Sequence, residues 1–264
     1  MQIITAPSKT QKFNGRTYAQ YTLPVLLDKT KILADQLKLM DRTELARLMK
    51  TSARLTESTC RLIDDFVLPF SPDNSKQALF TFQGDAYSAI EADRYTTEQL
   101  HHAQQHLFIL SGFYGILRPL DLMQPYRLEM GSVFTVGEDH NLYQFWGDQV
   151  TEIINQTLTK SKDKILINLA SQEYSRVINK QKLQGEMINI SFRQMHKGGL
   201  KTIPIHSKRA RGMMIQFAIS EQIATAGQLK EFDKEGYNFS SENSTATEWT
   251  FLKKTELENV QRNP

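Results

Sequence analysis

The segment Leu110–Gly131 holds a dense mixture of residues that suit a phosphorylated ligand. Gly112 and Gly115 would let the backbone approach a ligand closely, so that its N–H groups reach phosphate oxygens. Arg118 and Arg127 add forked donors that match phosphate geometry. We expect a helix that ends at the first glycine, then a hairpin and a second short helix. Such a helix-hairpin-helix grips the DNA backbone without reading its sequence.

A structural interpretation of this segment fits the residues equally well. The glycine would then cap a helix before a proline-rich turn, and the two arginines would pair with Asp121 and Glu129. Gly112 and Gly115 are also spaced more widely than the glycines of the usual hairpin. The pattern alone therefore leaves both interpretations open.

The stretch Met187–Ser220 is basic, because it carries six Lys or Arg residues and no Asp or Glu. These cations are Arg193, Lys197, Lys201, Lys208, Arg209 and Arg211. One interpretation is a surface that faces phosphates, to which Lys9 would contribute. The other is a solvated face paired with acids elsewhere in the fold. If about six cations neutralise phosphates of duplex DNA, log K should fall with log salt at a slope of about −5.

An enzyme that acts on a phosphorylated or nucleic-acid substrate is the alternative function. Its candidate catalytic acids are Asp85, Asp121, Glu129 and Glu173. Two of them would have to converge within about 5 Å in a cleft to hold a metal or share a proton. Otherwise each acid forms a structural salt bridge. The phosphate-loop, dinucleotide, nucleophile-elbow and zinc-protease motifs are all missing from the sequence.

No metal or cofactor site is predicted. His102 and His106 lie one helical turn apart, a spacing that suits a metal, but no third ligand follows at a useful distance. We therefore expect both on an exposed helix flank. Cys60 is the single cysteine, so it cannot close an intrachain disulfide, and we interpret it as a half-buried structural thiol.

The composition is that of an ordinary globular protein. The 264 residues carry 32 Lys or Arg against 29 Asp or Glu, and 40% are hydrophobic. No stretch approaches the roughly 20 apolar residues of a membrane-spanning helix, and the first residues do not resemble a signal peptide. These features favour a cytoplasmic protein with no membrane partner, and the small positive excess permits DNA as a partner.

Hydrophobic periodicity and turn residues predict a chain of mixed α and β structure. Strands are expected at 2–6, 78–82, 164–169 and 188–192, hairpins at Gly198–Gly199 and between 236–240 and 248–252, and helices at 23–37, after Asp41, from Thr96 to Gly112, at 147–158 and around 214–218. The elements lack the regular alternation of a doubly wound sheet. We expect an α+β fold with one compact domain over 1–254 and a polar tail over 255–264.

Six segments occur in an order that resembles a known bacterial family. They are Pro7–Thr10, Phe82–Tyr87, Leu110–Gly131, Leu142–Gly147, Asn168–Tyr174 and Lys208–Gly212. The pattern runs from residue 1 to about residue 253 and resembles the peroxide stress protein YaaA family. Ala6 stands where the family usually has Ser, and Gln83 stands where Lys is frequent, which removes one potential phosphate contact.

The resemblance implies a mixed α/β fold with a positively charged cleft and a helix-hairpin-helix element. It implies a cytoplasmic protein that binds DNA, including non-duplex structures, and that limits free intracellular iron and the DNA damage caused by iron and peroxide together. It brings no established reaction. On this interpretation DNA is bound by Lys9, Gly112, Gly115, Arg118, Arg127, Lys197, Lys201, Lys208, Arg209 and Arg211.

Overall fold

The computed structural model describes residues 1–196 and 198–253, so Lys197 and the predicted tail lie outside the described residues. The described chain forms a single domain of mixed α and β structure, as predicted. Its strands are β1 (Gln2–Thr5), β2 (Lys76–Gln77), β3 (Leu107–Ser111), β4 (Gly115–Leu117), β5 (Leu122–Met123), β6 (Ile165–Asn168), β7 (Glu186–His196), β8 (Gly199–Lys201), β9 (Tyr237–Phe239) and β10 (Glu248–Lys253).

Helices precede, join and cover these strands. The α-helices are α1 (Leu27–Lys38), α2 (Arg42–Met49), α3 (Ala53–Asp64), α4 (Ala78–Thr81), α5 (Asp85–Ile90), α6 (Thr97–His106), α7 (Leu142–Trp146), α8 (Gln149–Leu158), α9 (Gln172–Ser175) and α10 (Pro204–Ser220). Short 3-10 helices lie at Ala92–Arg94, Ala226–Glu231, Lys234–Gly236 and Ser241–Asn243. Within the described residues, no helix has the length and apolar character of a membrane span.

Most strands join one sheet in the order β4-β3-β1-β6-β7-β10-β9, and β8 pairs with β7 outside this path. The five inner strands β3, β1, β6, β7 and β10 run parallel, whereas β4, β8 and β9 are antiparallel additions. Every residue of β1 is buried, as expected for a parallel strand that is covered on both faces. β2 and β5 form a separate pair.

The predicted helix-hairpin-helix is wrong. α6 ends at His106, and the next five residues form β3, which is completely buried and lies between β1 and β4. Gly112 therefore follows a strand, and Gly115 begins another, so the segment is a β-hairpin. A short apolar run that is buried on all sides has the same pattern in a strand as in a helix, which is why periodicity misplaced it.

Local turn and capping signals were more reliable guides to the fold. Asp41 and Thr96 form the capping boxes of α2 and α6, and Gly198 turns the β7–β8 hairpin with a positive φ of 81°. The pairing of β9 with β10 is also confirmed. The predicted strand at 78–82 is wrong, because Ala78–Thr81 forms the buried helical turn α4.

A glycine allows close contact between α5 and α10. A Cβ on Gly212 would lie 2.0 Å from the carbonyl oxygen of Ala86, so only glycine permits this approach of the two backbones. This contact fixes the position of α10, whose first turns carry Lys208, Arg209 and Arg211.

Candidate functional site

The carboxyl ends of the parallel strands form one edge of the sheet, at which the chain changes direction. In the sheet, β3 lies on one side of β1, and β6, which follows later in the chain, lies on its other side. Ligands of open α/β sheets bind at such a switch point, beyond the carboxyl ends of the strands. Two clefts and a basic arm lie on this side of the sheet.

The first, here called the glutamate cleft, has a volume of about 640 Å³. Its charged lining residues are Lys9, Glu44, Arg47, Lys50, Glu129 and Glu173. Lys9 follows β1, and Glu173 belongs to α9, which follows β6. The cleft therefore presents cations that suit a phosphate next to carboxylates that can hold or move a proton.

A buried tyrosine anchors Glu129 in this cleft. The Tyr174 hydroxyl donates a hydrogen bond of 2.8 Å to Glu129 Oε2, and Lys9 Nζ lies 3.9 Å from the same oxygen. Burial raises the pKa of Tyr174, and the nearby Tyr126 and Glu129 raise it further, so the hydroxyl remains a donor. Glu129 thus has one fixed oxygen close to a lysine.

Gly131, which also lines the glutamate cleft, positions the Glu173 side chain. Its Oε1 accepts the Gly131 N–H at 3.0 Å, and a Cβ on Gly131 would crowd the same oxygen at 3.0 Å. The Tyr143 hydroxyl donates to the Glu173 carbonyl oxygen at 2.8 Å, and the Arg176 guanidinium lies over the Tyr143 ring at 4.9 Å. Of the four predicted acids, Glu129 and Glu173 therefore line one cleft.

Gln11 ties the loop after β1 to the loop that carries Glu129. Its Oε1 accepts the Tyr126 N–H at 3.1 Å, and its Nε2 donates to the Tyr126 carbonyl oxygen at 3.0 Å. The buried Tyr126 ring is fixed in turn by Ser111, whose hydroxyl donates to the phenol oxygen at 2.9 Å. The site is thus connected to the end of β3 through Tyr126, and the Gln11 side chain holds its two loops together.

The second, here called the asparagine cleft, has a volume of about 520 Å³ and lies beyond the end of β6, beside the first residues of β7. Asn168, Asn189 and Glu248 stand at one level on β6, β7 and β10. Asn168 Nδ2 donates to Asn189 Oδ1 at 2.7 Å, and Asn189 Nδ2 donates to Glu248 Oε1 at 2.5 Å. This ladder of side chains links three parallel strands and also holds the carboxylate of the cleft.

Arg211 of α10 reaches the same cleft from the helical layer. The residue is half-buried, and its Nε is buried without a hydrogen-bond partner among the described residues. Burial lowers the pKa of Arg211 from its ordinary value. Arg176 and Lys180 are exposed and add two further cations to the lining.

The long strand β7 carries the basic stretch past the level at which β6 ends, and β10 pairs with it as far as Gln194. Asn189 is level with the last residue of β6, and β7 continues to His196, which adds about 23 Å of strand. The name basic arm is used here for the described residues 193–196 and 198–209, which comprise the end of β7, β8 and the start of α10. The arm therefore lies on the carboxyl side of the sheet, beyond the level at which β6 ends.

The cations of the basic arm differ in their contacts. Lys201 and Lys208 are exposed. Arg209 pairs with Glu235 at 2.7 Å, and Arg193 donates to the Leu200 carbonyl oxygen at 3.1 Å, which closes the hairpin. The two lysines are thus the cations of the described arm that most readily face a phosphate chain.

Arg118 and Asp121 form a structural pair. Asp121 is 1% exposed, and its carboxylate accepts from the Arg118 backbone N–H at 2.8 Å and from Arg118 Nη2 at 3.0 Å. Thr22 donates a third bond of 2.5 Å. The pair joins the chain near Thr22 to the turn after β4, and Asp121 lies outside both clefts.

The other predicted residues occupy different environments. Gly112 and Gly115 are buried: a Cβ on Gly112 would meet the Leu128 carbonyl oxygen at 2.4 Å, and one on Gly115 would meet the Trp146 ring at 2.7 Å. Arg127 is half-buried beside Lys9 and Glu129 in a small cavity. Asp85 is exposed at the start of α5. The glycines therefore shape the fold, and their backbone cannot meet a DNA strand.

The two histidines are not on an exposed flank, so that prediction is wrong. His102 and His106 are half-buried, their rings lie 4.3 Å apart, and they bond to the carbonyl oxygens of Ile223 and Met1. Burial lowers the pKa of both, that of His102 to about 4. Among the described residues there is no group of three or more His, Cys, Asp or Glu that could hold a metal. Cys60 is half-buried, as predicted.

Sequence reasoning missed several residues of this edge. Gln11, Arg176, Lys180, Asn189 and Glu248 carry no recognisable motif. A usable signal existed only for the asparagines, since Asn168 and Asn189 each stand within or at the end of a predicted strand. Their alignment follows from the register of β6 and β7, which the sequence alone does not reveal.

Comparison with known proteins identifies relatives along almost the whole chain. A family model described as peroxide stress protein YaaA matches residues 1–243. UPF0246 proteins of Acaryochloris marina and Desulfotalea psychrophila are 45% and 48% identical, over 96% and 95% of this chain and 100% and 97% of their own length. One of Alteromonas mediterranea is 38% identical over 98% of this chain and 100% of its own. The chain therefore belongs to the peroxide stress protein YaaA family, a membership that supports a role in peroxide stress.

Proposed function

We propose that this protein binds the phosphate backbone of DNA at the carboxyl edge of its sheet and acts through that binding in the peroxide response, in the cytoplasm. The observation that carries the proposal is the basic arm, which presents the exposed Lys201 and Lys208 in a stretch without an acidic residue from Met187 to Ser220. Flexible lysines on an exposed arm attract phosphates electrostatically and carry no base-reading geometry. Binding is therefore independent of sequence.

The position of the arm supports this assignment. It lies on the same carboxyl side of the sheet as the glutamate cleft, which is lined by Lys9, Arg47 and Lys50. A strand of DNA that follows the arm would pass the mouths of the clefts, with further cations along its path. Arg118 neutralises Asp121 and Arg211 is half-buried, so the proposal rests on the two exposed lysines and not on these arginines. The limitation of free iron is an expected consequence of this role, with no metal chemistry assigned to the chain.

The test is fluorescence anisotropy with labelled duplex, bubble and single-stranded DNA of two unrelated sequences. We expect equal affinity for the two sequences of each form. The double variant Lys201→Ala/Lys208→Ala should bind at least about tenfold more weakly at moderate salt. The matched control is Lys160→Ala/Lys162→Ala, which removes two exposed lysines from the opposite edge, just before β6. Equal loss in both double variants would contradict the proposal.

A second candidate function is catalysis on a phosphorylated or nucleic-acid substrate in the glutamate cleft. It is favoured by one observation: Glu129 and Glu173 line one cavity, and Glu129 is held between a lysine and a protonated tyrosine. A gel of the labelled DNA after incubation with Mg²⁺ or Mn²⁺ tests it for a DNA substrate. Cleavage that Glu129→Gln abolishes, and that the exposed control Glu152→Gln retains, would support an enzyme. Intact DNA would refute a nuclease.

A further inference from the structure

Arg211 poses an electrostatic problem that the basic arm does not solve. A guanidinium keeps its charge under all ordinary conditions, and a half-buried charge without a counter-ion is costly. The Nε–H of Arg211 is buried and unpaired among the described residues. The one carboxylate that lines the same cleft belongs to Glu248, and its Oε1 already accepts a hydrogen bond from Asn189 Nδ2. The structure describes no ion pair for Arg211.

The rest of the asparagine cleft has the composition of an anion site. Three of its lining residues are cations, namely Arg176, Lys180 and Arg211, against the single carboxylate of Glu248. Asn168, at the end of β6, and Asn189, at the same level of β7, add side-chain amides. Each amide nitrogen carries two donors and uses one of them in the ladder, so donors remain for a ligand. The cleft volume of about 520 Å³ suits a small molecule.

We propose that the asparagine cleft binds a small phosphate monoester, with Arg211 as the principal contact to its phosphate. The guanidinium offers a fork that matches two phosphate oxygens, and the amides and the two rim cations surround the remaining oxygens. A monoester carries close to two negative charges near neutral pH, which balances the net excess of two cations over carboxylates in the lining.

The backbone phosphate of DNA is a poorer occupant of this cleft than a free monoester. A diester carries a single negative charge and continues in two directions, whereas Arg211 is half-buried within a cavity. The exposed Lys201 and Lys208 lie on the basic arm and do not line the cleft. The site is therefore independent of the proposed DNA contacts, and each proposal can fail without the other.

Calorimetric titration with inorganic phosphate, methyl phosphate and dimethyl phosphate tests the proposal, because the last probe is the diester. We expect the first two to bind the unmodified protein and dimethyl phosphate to bind at least about tenfold more weakly. Arg211→Met should weaken phosphate binding at least tenfold, and Arg211→Lys should not restore it, because lysine lacks the fork. The control Arg94→Met removes an exposed arginine outside the cleft.

Two further measurements keep the test decisive. Thermal unfolding in phosphate-free buffer should show Arg211→Met to be at least as stable as the parent, since an unpaired charge is removed. If that variant fails to fold, Lys180→Glu replaces an exposed rim cation and should weaken phosphate binding instead. The proposal is overturned if the parent binds no phosphate, if dimethyl phosphate binds as tightly as methyl phosphate, or if both cleft variants retain full affinity. Lys201→Ala/Lys208→Ala should keep its phosphate affinity.

Discussion

Removal of the Arg118 side chain should destabilise the fold strongly, because it would strand a buried carboxylate. Asp121 is 1% exposed and Arg118 is 32% exposed in their pair. In Arg118→Ala the carboxylate keeps its bonds from Thr22 and from the backbone N–H of residue 118, but it loses both guanidinium donors. Removing one partner of a buried ion pair costs about 3–5 kcal/mol of folding stability. Because Arg118 is partly exposed, we expect the lower end of this range, about 3 kcal/mol.

The loss should depend on pH in a defined direction. Burial raises the pKa of Asp121, whereas Arg118 lowers it, so Arg118→Ala should raise that pKa further. A raised native pKa means that the folded variant binds a proton more readily than the unfolded chain does. The penalty is therefore largest where Asp121 is ionised and shrinks as the pH falls and the carboxyl group is protonated, which a comparison of about pH 8 with about pH 5 tests.

Urea unfolding of parent and variant at the two pH values measures both effects. The matched control is Arg94→Ala, because Arg94 also pairs with an acid three residues away, but in an exposed pair with 79% and 42% exposure. That change should cost at most about 1 kcal/mol. A loss in Arg118→Ala no greater than in Arg94→Ala, or one that grows as the pH falls, would refute the structural role assigned to Arg118.

Two further predictions concern the helical layer and the histidine pair. Gly212→Ala should destabilise the protein by about 3 kcal/mol in the same urea assay, since its Cβ would lie 2.0 Å from the Ala86 carbonyl oxygen. In the control Gly227→Ala the added Cβ has no neighbour within 4 Å, so the free energy of unfolding should change by less than about 0.5 kcal/mol. Burial lowers the pKa of His102 from 6.5 to about 4, so the native state favours the neutral ring. The neutral His102 therefore contributes its full stabilisation above about pH 6.5, and this contribution is lost as the pH falls towards about 4. His102→Gln should flatten the unfolding free energy over that window, and an unchanged profile would contradict this assignment.

Local chemistry explains which parts of the fold the sequence predicts. The capping boxes at Asp41 and Thr96 and the turn at Gly198 depend on neighbouring residues, and all three are found where expected. The periodicity predicts a helix through Leu107–Ser111, but this buried segment is a strand because it pairs with β1 and β4, and the pairing with β1 is a contact with a distant part of the chain. The helix-hairpin-helix interpretation depended on that error.

The candidate site was predictable only in part for a related reason. Lys9, Glu129 and Glu173 could be named from residue type, but their common cleft depends on β1 and β6 being neighbours in the sheet. The ladder from Asn168 through Asn189 to Glu248 depends on the register of three parallel strands. The basic stretch was visible from charge alone, whereas the separation of the half-buried Arg211 from the exposed Lys208 needed the structure.

The most direct test of DNA binding by the basic arm is the salt dependence of affinity for one labelled duplex. Each lysine that neutralises a phosphate contributes about −0.9 to the slope of log K against log salt. Lys201→Ala/Lys208→Ala should therefore have a slope shallower than the parent by about 2, while Lys160→Ala/Lys162→Ala keeps the parent slope. Identical slopes in the parent and the arm variant would contradict the account, because the phosphates would then lie elsewhere on the protein.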